Sequence, residues 1–211
     1  MTSESISQWA PGPEVQTQEQ RILAALWAGD PNAPRALYDT YAGYVDRVLC
    51  RILGPDGDIP DLLQEVFVAA LANFRDVRKG ESLKHWLASV AVFKARSYLR
   101  KMGRRRRLRA LFLRTSEIPH VDAPDSQEAM LAESLRLILD KMSSDLRIPF
   151  SLRHLEGMQL EEVASVCGVS LATIKRRLGS AEGRFLTAAR QDPDLWDCVS
   201  RSGKWKTAIA K

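Results

Sequence analysis

The residues of this chain best suited to chemistry are hydroxyls and cations, and they cluster in the stretch CGVSLATIKRRL, residues 167–178. Hydroxyl and cationic side chains contact DNA phosphates, and arginine also pairs with the edge of guanine in the major groove. The candidate contacts to the phosphates and base edges of duplex DNA are Ser170, Thr173, Lys175, Arg176 and Arg177. These residue types favour binding of a polyanion over catalysis.

A helix must present these side chains, and the flanking sequence is typical of a helix-turn-helix. Ala164 is the small residue at which the two helices pack, and Gly168 permits the sharp turn. Ser170 is suited to cap the second helix, which then buries Ile174 and Leu178. An ordinary helical hairpin with solvated arginines is the alternative. The agreement of cap, turn glycine and basic face favours DNA binding.

No set of residues in the chain resembles a catalytic or metal centre. The three histidines are scattered, and no acid pair, nucleophile elbow or glycine-rich phosphate loop accompanies them. His85, beside Trp86, is interpreted as structural or solvent-exposed. The three cysteines are widely spaced without a CxxC pair, and Cys50 and Cys167 are interpreted as small core residues. We therefore predict that the protein is not an enzyme and holds no metal or cofactor.

Charge is distributed unevenly along the 211 residues, although the net value is only +5. Residues 94–114 contain ten Lys or Arg and no acid, whereas residues 115–128 contain four acids and no Lys or Arg. A basic block beside an acidic connector indicates a surface that faces a polyanion, followed by a linker. No basic segment with an apolar run opens the chain, and no run of eighteen apolar residues occurs. We expect a cytoplasmic protein without membrane insertion.

Hydrophobic residues recur every three or four positions along most of the chain, which predicts helices and no strand. We predict an all-α fold of two small helical domains joined by a flexible acidic linker. Within them, Trp86 lies on a buried stripe, Gly157 ends a helix, and the tail segment DPDLWDCV adds a further turn. The predicted divisions are a disordered lead-in at 1–17, a four-helix domain at 18–114, a linker at 115–128, a helix-turn-helix domain at 129–190 and a tail at 191–211.

Three blocks resemble, in order, the two domains of bacterial extracytoplasmic-function (ECF) sigma factors of the sigma-70 family. They are DLLQEVFVAALANF, RKGESLKHWLASVAVFKARSYLRKMGRRRR and LRIPFSLRHLEGMQLEEVASVCGVSLATIKRRL, and the resemblance extends from Ala36 to Phe185. It implies a sigma region 2 domain for the minus-ten promoter region and a sigma region 4 domain for the minus-thirty-five element. It further implies a monomer that binds core RNA polymerase, starts transcription at promoter DNA and is silenced by an anti-sigma factor.

The resemblance also implies roles for single residues of the first domain. The family's Asp-Leu-x-Gln-Glu-x-Phe helix docks on the clamp of the largest polymerase subunit, whereas the second domain binds the flap. This motif falls on Asp61, Leu62, Gln64, Glu65 and Phe67. The residues that we assign to clamp docking are Asp61, Leu62, Gln64, Glu65 and Val68, the last because it lies on the face opposite the buried stripe. The loop Gly80, Glu81 and Ser82 corresponds to the family's pocket for a flipped minus-ten base. The implied contacts to the nontemplate strand are Lys84, Arg96, Arg100, Lys101, Arg104 and Arg105.

Two departures from the family pattern bear on DNA specificity. Val92 and Phe93 stand where the family usually has an Arg-Asn pair, and Val92 falls away from the buried stripe. Glu182 stands where a phosphate-binding arginine is common, and its carboxylate would repel DNA. A freestanding helix-turn-helix regulator that never binds polymerase is the alternative function. It would explain the recognition helix but not the DLLQEVF helix or the two-domain layout.

Overall fold

The computed structural model describes residues 17–54, 58–77, 82–112 and 126–202, and every regular element in these ranges is helical. The predicted all-α class is confirmed. The α-helices of the described ranges are α1 (Gln18–Ala28), α2 (Ala33–Leu53), α3 (Ile59–Asn73), α4 (Leu83–Phe112), α5 (Gln127–Asp140), α6 (Ser144–Phe150), α7 (Leu160–Cys167), α8 (Leu171–Ala189) and α9 (Pro193–Arg201).

Helices α1 to α4 form the N-terminal domain, with α2, α3 and α4 packed against one another. Helix α1 begins with a capping box between Thr17 and Gln20. Its Glu19 carboxylate accepts a hydrogen bond from the Leu83 N–H, one of the donors that the start of α4 leaves without a helical partner. The short helix α1 is thereby joined to the start of the longest helix.

Helix α4 changes character along its length. Its first half buries Leu83 and Leu87 completely, and small residues such as Ala91 let the neighbouring helices approach closely. Trp86 is 8% exposed, which confirms that it belongs to the core. The second half carries the basic block, in which Arg100, Lys101, Arg104 and Arg105 are exposed.

The C-terminal domain contains an irregular turn directly after a helix that includes a proline. Pro149 lies inside α6, and a proline has no N–H to donate to the preceding turn. The chain widens after it into a π-helical turn, Ser151–Leu155, in which the Glu156 N–H donates to the Ser151 carbonyl over 3.0 Å. Gly157 then adopts a left-handed conformation, with φ of 83°, and ends the segment as predicted.

A second core lies between α5, the end of α8 and α9, where Phe150 stacks on Phe185 with ring centroids 5.1 Å apart. Helix α9 confirms the extra turn predicted for the tail. Its N-cap, Asp192, accepts hydrogen bonds from the Leu195 N–H at 3.1 Å and from the Ser134 hydroxyl at 2.6 Å. These bonds fix α9 on α5.

The two domains pack against each other, which the sequence did not predict. Helix α7 lies against α4, and the π-helical turn lies against α2. One continuous core joins the N-terminal helices to Ile148, Leu152, Val163 and Ala164 of the C-terminal domain. Residues 115–125 of the predicted linker lie outside the described ranges. The C-terminal domain thus contributes buried side chains to the core of the N-terminal domain.

Arg147 fastens this contact between the domains. Its side chain is buried, with Nε donating to the Ile52 carbonyl at 2.6 Å and Nη2 to the Leu53 carbonyl at 2.8 Å. These carbonyls end α2, where the helix dipole favours a cation. Nη1 of Arg147 pairs with Asp140 at 2.6 Å, and Asp140 also pairs with Arg136 at 3.0 Å. The guanidinium thus caps one domain's helix from within the other.

Candidate nucleic-acid interface

The turn between α7 and α8 has the geometry of a helix-turn-helix. Gly168 ends α7 in the left-handed conformation, with φ of 67°. Ser170 caps α8 by accepting a hydrogen bond from the Thr173 N–H at 3.3 Å, and the hydroxyl oxygens of Ser170 and Thr173 lie 3.0 Å apart. Ile174 and Leu178 are buried, as predicted. The N-terminal turn of α8 is therefore rigid, and both hydroxyls are engaged with each other.

The cations of α8 differ in their surroundings. Lys175 and Arg176 are exposed, and neither has an ion-pair partner among the described residues. Arg177 is less exposed and pairs with Asp145 of α6, with Nη2 3.5 Å from Oδ1. Among the three cations near the start of α8, Lys175 and Arg176 can therefore meet a phosphate without breaking an ion pair.

Glu182, which departs from the family pattern, has a partner inside the domain. Its Oε1 lies 3.0 Å from Nε2 of His154, whose ring packs on Phe150 with centroids 4.9 Å apart. This hydrogen bond joins α8 to the π-helical turn. Glu182 thus has a structural role in the domain, whatever its effect on DNA.

Helix α4 presents four exposed cations beyond the core. Arg100, Lys101, Arg104 and Arg105 are all exposed and have no ion-pair partner among the described residues. A row of unpaired cations on one long helix attracts a phosphate backbone. These four predicted contacts to the nontemplate strand are therefore accessible in the structure.

Two further predicted strand contacts are engaged elsewhere. Arg96 is half-buried against α7, where Nη2 donates to the Cys167 carbonyl at 3.4 Å and the buried Nε has no hydrogen-bond partner. Lys84 lies over the ring of Tyr44, with Nζ 4.7 Å from the centroid. The structure thus separates these two from the exposed row on α4. Gly80 and Glu81 of the predicted base pocket lie outside the described residues.

The packing of the domains explains one of the two unusual residues on α4. Val92 is 1% exposed, because it belongs to the core that α4 shares with α7. The expectation that it lies away from the buried stripe is wrong, since the stripe widens where the second domain covers it. Phe93, the next residue, is 64% exposed.

The outer face of α3 matches most of the predicted docking surface. Asp61, Gln64, Glu65 and Val68 are exposed, and Val68 is 68% exposed. Glu65 accepts a hydrogen bond from Lys94 of α4 at 3.1 Å, which ties the edge of this face to α4. Leu62 is 6% exposed and packs in the core, so its side chain is not part of this exposed face.

A cation-lined cleft separates the basic end of α4 from the C-terminal domain. Its volume is about 680 Å³, and its lining includes Arg100 and Arg104 of α4, Lys141 and Arg184 of the C-terminal domain, and the Arg147–Asp140 ion pair. Cations outnumber acids in this lining, so the cleft attracts anions.

The histidines and cysteines of the described residues form no cluster suited to hold a metal ion. The described ranges include no group of three or more His, Cys, Asp or Glu placed to hold one. His85 lies 2.8 Å from the Ser165 hydroxyl, a contact between the domains rather than an activated pair. Burial raises the pKa of the Cys167 thiol to about 11 and also raises that of Cys50, so both thiols stay protonated, as expected of core residues.

Comparison with known families divides the chain in the same way as the fold. Residues 37–106 match sigma-70 region 2, and residues 132–182 match sigma-70 region 4. The ECF RNA polymerase sigma-E factor of Escherichia coli K12 is 27% identical over 179 residues, which cover 77% of this chain and 90% of that protein. The sigma-E factor of Haemophilus influenzae is 28% identical over 173 residues, with the same coverage.

Two solved structures share the fold. CnrH in complex with the cytosolic domain of CnrY superposes with a TM-score of 0.60 at 20% identity, covering 83% of this chain and 99% of that one. The sigma factor RpoE in complex with the anti-sigma factor NepR from Bartonella quintana gives 0.55 at 21% identity, covering 76% and 99%. No helix in the described part of the chain is long and apolar enough to cross a membrane.

Proposed function

The chain belongs to the sigma-70 family as an ECF sigma factor, and we propose that its two domains divide polymerase binding and promoter recognition as follows. The N-terminal domain docks on the clamp of the largest polymerase subunit through the outer face of α3. Val68 supplies an apolar contact, and Asp61 and Glu65 supply acidic ones. The outer face of α3 carries this proposal, because Val68, which is 68% exposed, lies there with the exposed Asp61 and Glu65 and forms a mixed apolar and acidic face that a partner helix can cover.

Promoter contacts follow from the two basic surfaces. The exposed cations of α4 hold the displaced nontemplate strand of the minus-ten region, where unpaired bases leave the phosphates accessible. The start of α8 enters the major groove of the minus-thirty-five element, with Lys175 and Arg176 on phosphates or guanine edges. Arg177 holds α8 against Asp145 and contributes mainly to the position of this helix.

The two domains must separate to serve both elements at once. Elements centred 25 base pairs apart lie roughly 85 Å apart along B-form DNA. A compact chain of 211 residues has a radius of gyration of about 17 Å. We call the arrangement in which the two domains pack against each other the closed form. It is therefore the form of the chain before polymerase binds, and α7 covers Arg96 and Val92 in it.

An anti-sigma factor fits this picture as the partner that holds the closed form. Both solved structures of similar fold are complexes, one with the cytosolic domain of CnrY and one with the anti-sigma factor NepR. A partner that binds the closed form better than the open one shifts the equilibrium toward closure. We extend the proposal to a cytoplasmic monomer that passes from such a partner to the polymerase flap and clamp.

Reconstitution with bacterial core polymerase tests the assignment. The chain is expected to comigrate with core polymerase on size exclusion and to direct transcripts from promoters of its own genome. Val68→Asp should abolish comigration, whereas Ala36→Asp, an acid placed on the exposed surface of α2, should not. A chain that binds promoter DNA but never comigrates would be a freestanding regulator, and the proposal would fall.

A further inference from the structure

Phe93 is an exposed aromatic ring without a structural role in the described part of the chain. Its side chain is 64% exposed. Two other exposed aromatics are engaged, since Trp27 packs edge-on against Phe74 at 5.5 Å and Tyr38 packs on Phe67 at 4.9 Å. Phe93 has no such ring contact among the described residues. A single exposed apolar residue is common on protein surfaces, so a binding role for Phe93 depends on the residues beside it.

The residues that share a face with Phe93 are a hydroxyl and two cations. Ser97, Arg100 and Arg104 follow at spacings of four, three and four, which places them on one side of the helix. All three are exposed. At 1.5 Å per residue, the two arginines lie about 10 and 16 Å along the helix axis from Phe93. The face is thus an aromatic platform continued by a cationic track.

This combination is the chemistry that binds single-stranded nucleic acid. A base stacks on the ring, while the cations follow the phosphates; an aromatic platform changes affinity by about 5- to 150-fold per base. A base inside a duplex has both faces covered by its neighbours and cannot stack on the ring. We propose that Phe93 is a stacking platform for one unpaired base of the displaced strand, and thereby a specificity-determining residue.

The inference rests on the proposed function and adds a rule for base preference. A phenyl ring has no donor or acceptor, so it cannot distinguish bases by their hydrogen-bonding edges. It favours the base with the larger stacking surface. At the base position that Phe93 contacts, affinity is therefore expected to increase with the stacking surface of the base. Adenine should bind more tightly than thymine, and any base should bind more tightly than an abasic site.

Fluorescence anisotropy on the full chain tests this inference, because Phe93 and its cationic track are exposed in the closed form. The probes are labelled single-stranded dA12, dT12 and a twelve-nucleotide strand of abasic sites. The wild type should bind dA12 at least about 10-fold more tightly than the abasic strand. Phe93→Ala should abolish this difference, Phe93→Trp should keep it, and Arg100→Ala should weaken all three probes similarly.

Three outcomes would overturn the inference. A wild type that binds dA12 no better than the abasic strand would exclude stacking. A Phe93→Ala variant that keeps the full difference would exclude Phe93. Loss of comigration with core polymerase in Phe93→Ala alone would make Phe93 a protein contact. Failure of the wild type to comigrate would instead refute the proposed function, and the oligonucleotide result would still decide on Phe93.

Discussion

Replacing Arg147 by alanine should loosen the contact between the two domains and destabilise the fold. The guanidinium bonds two carbonyls at the end of α2 and the Asp140 carboxylate, and it is 3% exposed. Removing one partner of a buried ion pair costs about 3–5 kcal/mol. Asp140 keeps its bond to Arg136 at 3.0 Å, so we expect a loss of about 3 kcal/mol, which is a factor of about 150 in an equilibrium constant.

Part of the lost free energy should appear as separation of the two domains rather than as unfolding of either domain. The α2 carbonyls regain water once the domains part, so the open form suffers less from Arg147→Ala than the closed form does. Urea denaturation followed by circular dichroism measures the free energy of unfolding, and small-angle X-ray scattering measures the radius of gyration. The variant should be less stable and more extended than the wild type. It should also bind core polymerase more tightly, because less of it is closed.

The matched control is Arg35→Ala, which removes a pair with Asp39 at 3.5 Å whose side chains are 84% and 63% exposed. Exposed pairs contribute little, so this variant should not differ measurably from the wild type. A loss below about 1 kcal/mol in Arg147→Ala, together with an unchanged radius of gyration, would refute the reasoning. The contact between the domains would then depend on apolar packing and on the remaining polar contacts, such as that of His85 with Ser165.

Three further predictions concern thiol reactivity, DNA binding and pH. Because burial raises the pKa of Cys167 to about 11, its thiol should resist a disulfide reagent at pH 8 until the protein unfolds; rapid labelling of Cys167, detected by mass spectrometry, would contradict this. Charge reversal of Arg176 and Arg177 to Glu should abolish binding of the promoter duplex in gel shift yet spare comigration with core polymerase, and retained promoter binding would exclude α8 as the recognition helix. The Ser134 hydroxyl and a backbone N–H hold the pKa of Asp192 below its usual 3.8, so the stability that its carboxylate contributes is present above that value and lost as pH falls through the lowered pKa. Asp192→Asn should flatten this part of the acid-denaturation curve.

The sequence predicted the features that depend on local chemistry. Gly168 and Ser170 specify the helix-turn-helix because a left-handed turn and an N-cap need only the residues beside them. The same holds for Gly157 and for the extra turn in the tail segment DPDLWDCV. Trp86 was placed correctly because its position on a helical stripe decides its burial. For all of these features, the deciding contacts lie within a few residues in the chain.

Contacts between distant segments were not predictable in the same way. Leu62 belongs both to the predicted docking motif and to the apolar stripe of α3. Only the packing of α3 in the structure shows that its side chain is buried. Val92 lies on a flank of α4 that would face water in an isolated domain, and α7 covers it. A periodic pattern identifies one buried face of a helix, but it gives no signal for a second face covered by another domain.

Arg147 did leave a signal in the sequence, which shows what the missing information was. A single cation in the apolar run LRIPF must either reach solvent or find partners, because an unpaired buried charge is too costly. That argument predicts a partner without identifying it. The partners are an acid seven residues away and carbonyls 95 and 94 residues away, and the carbonyls belong to backbone that carries no sequence signature. The sequence therefore predicts that Arg147 needs buried partners, but only the structure identifies the backbone carbonyls with which it holds the closed form.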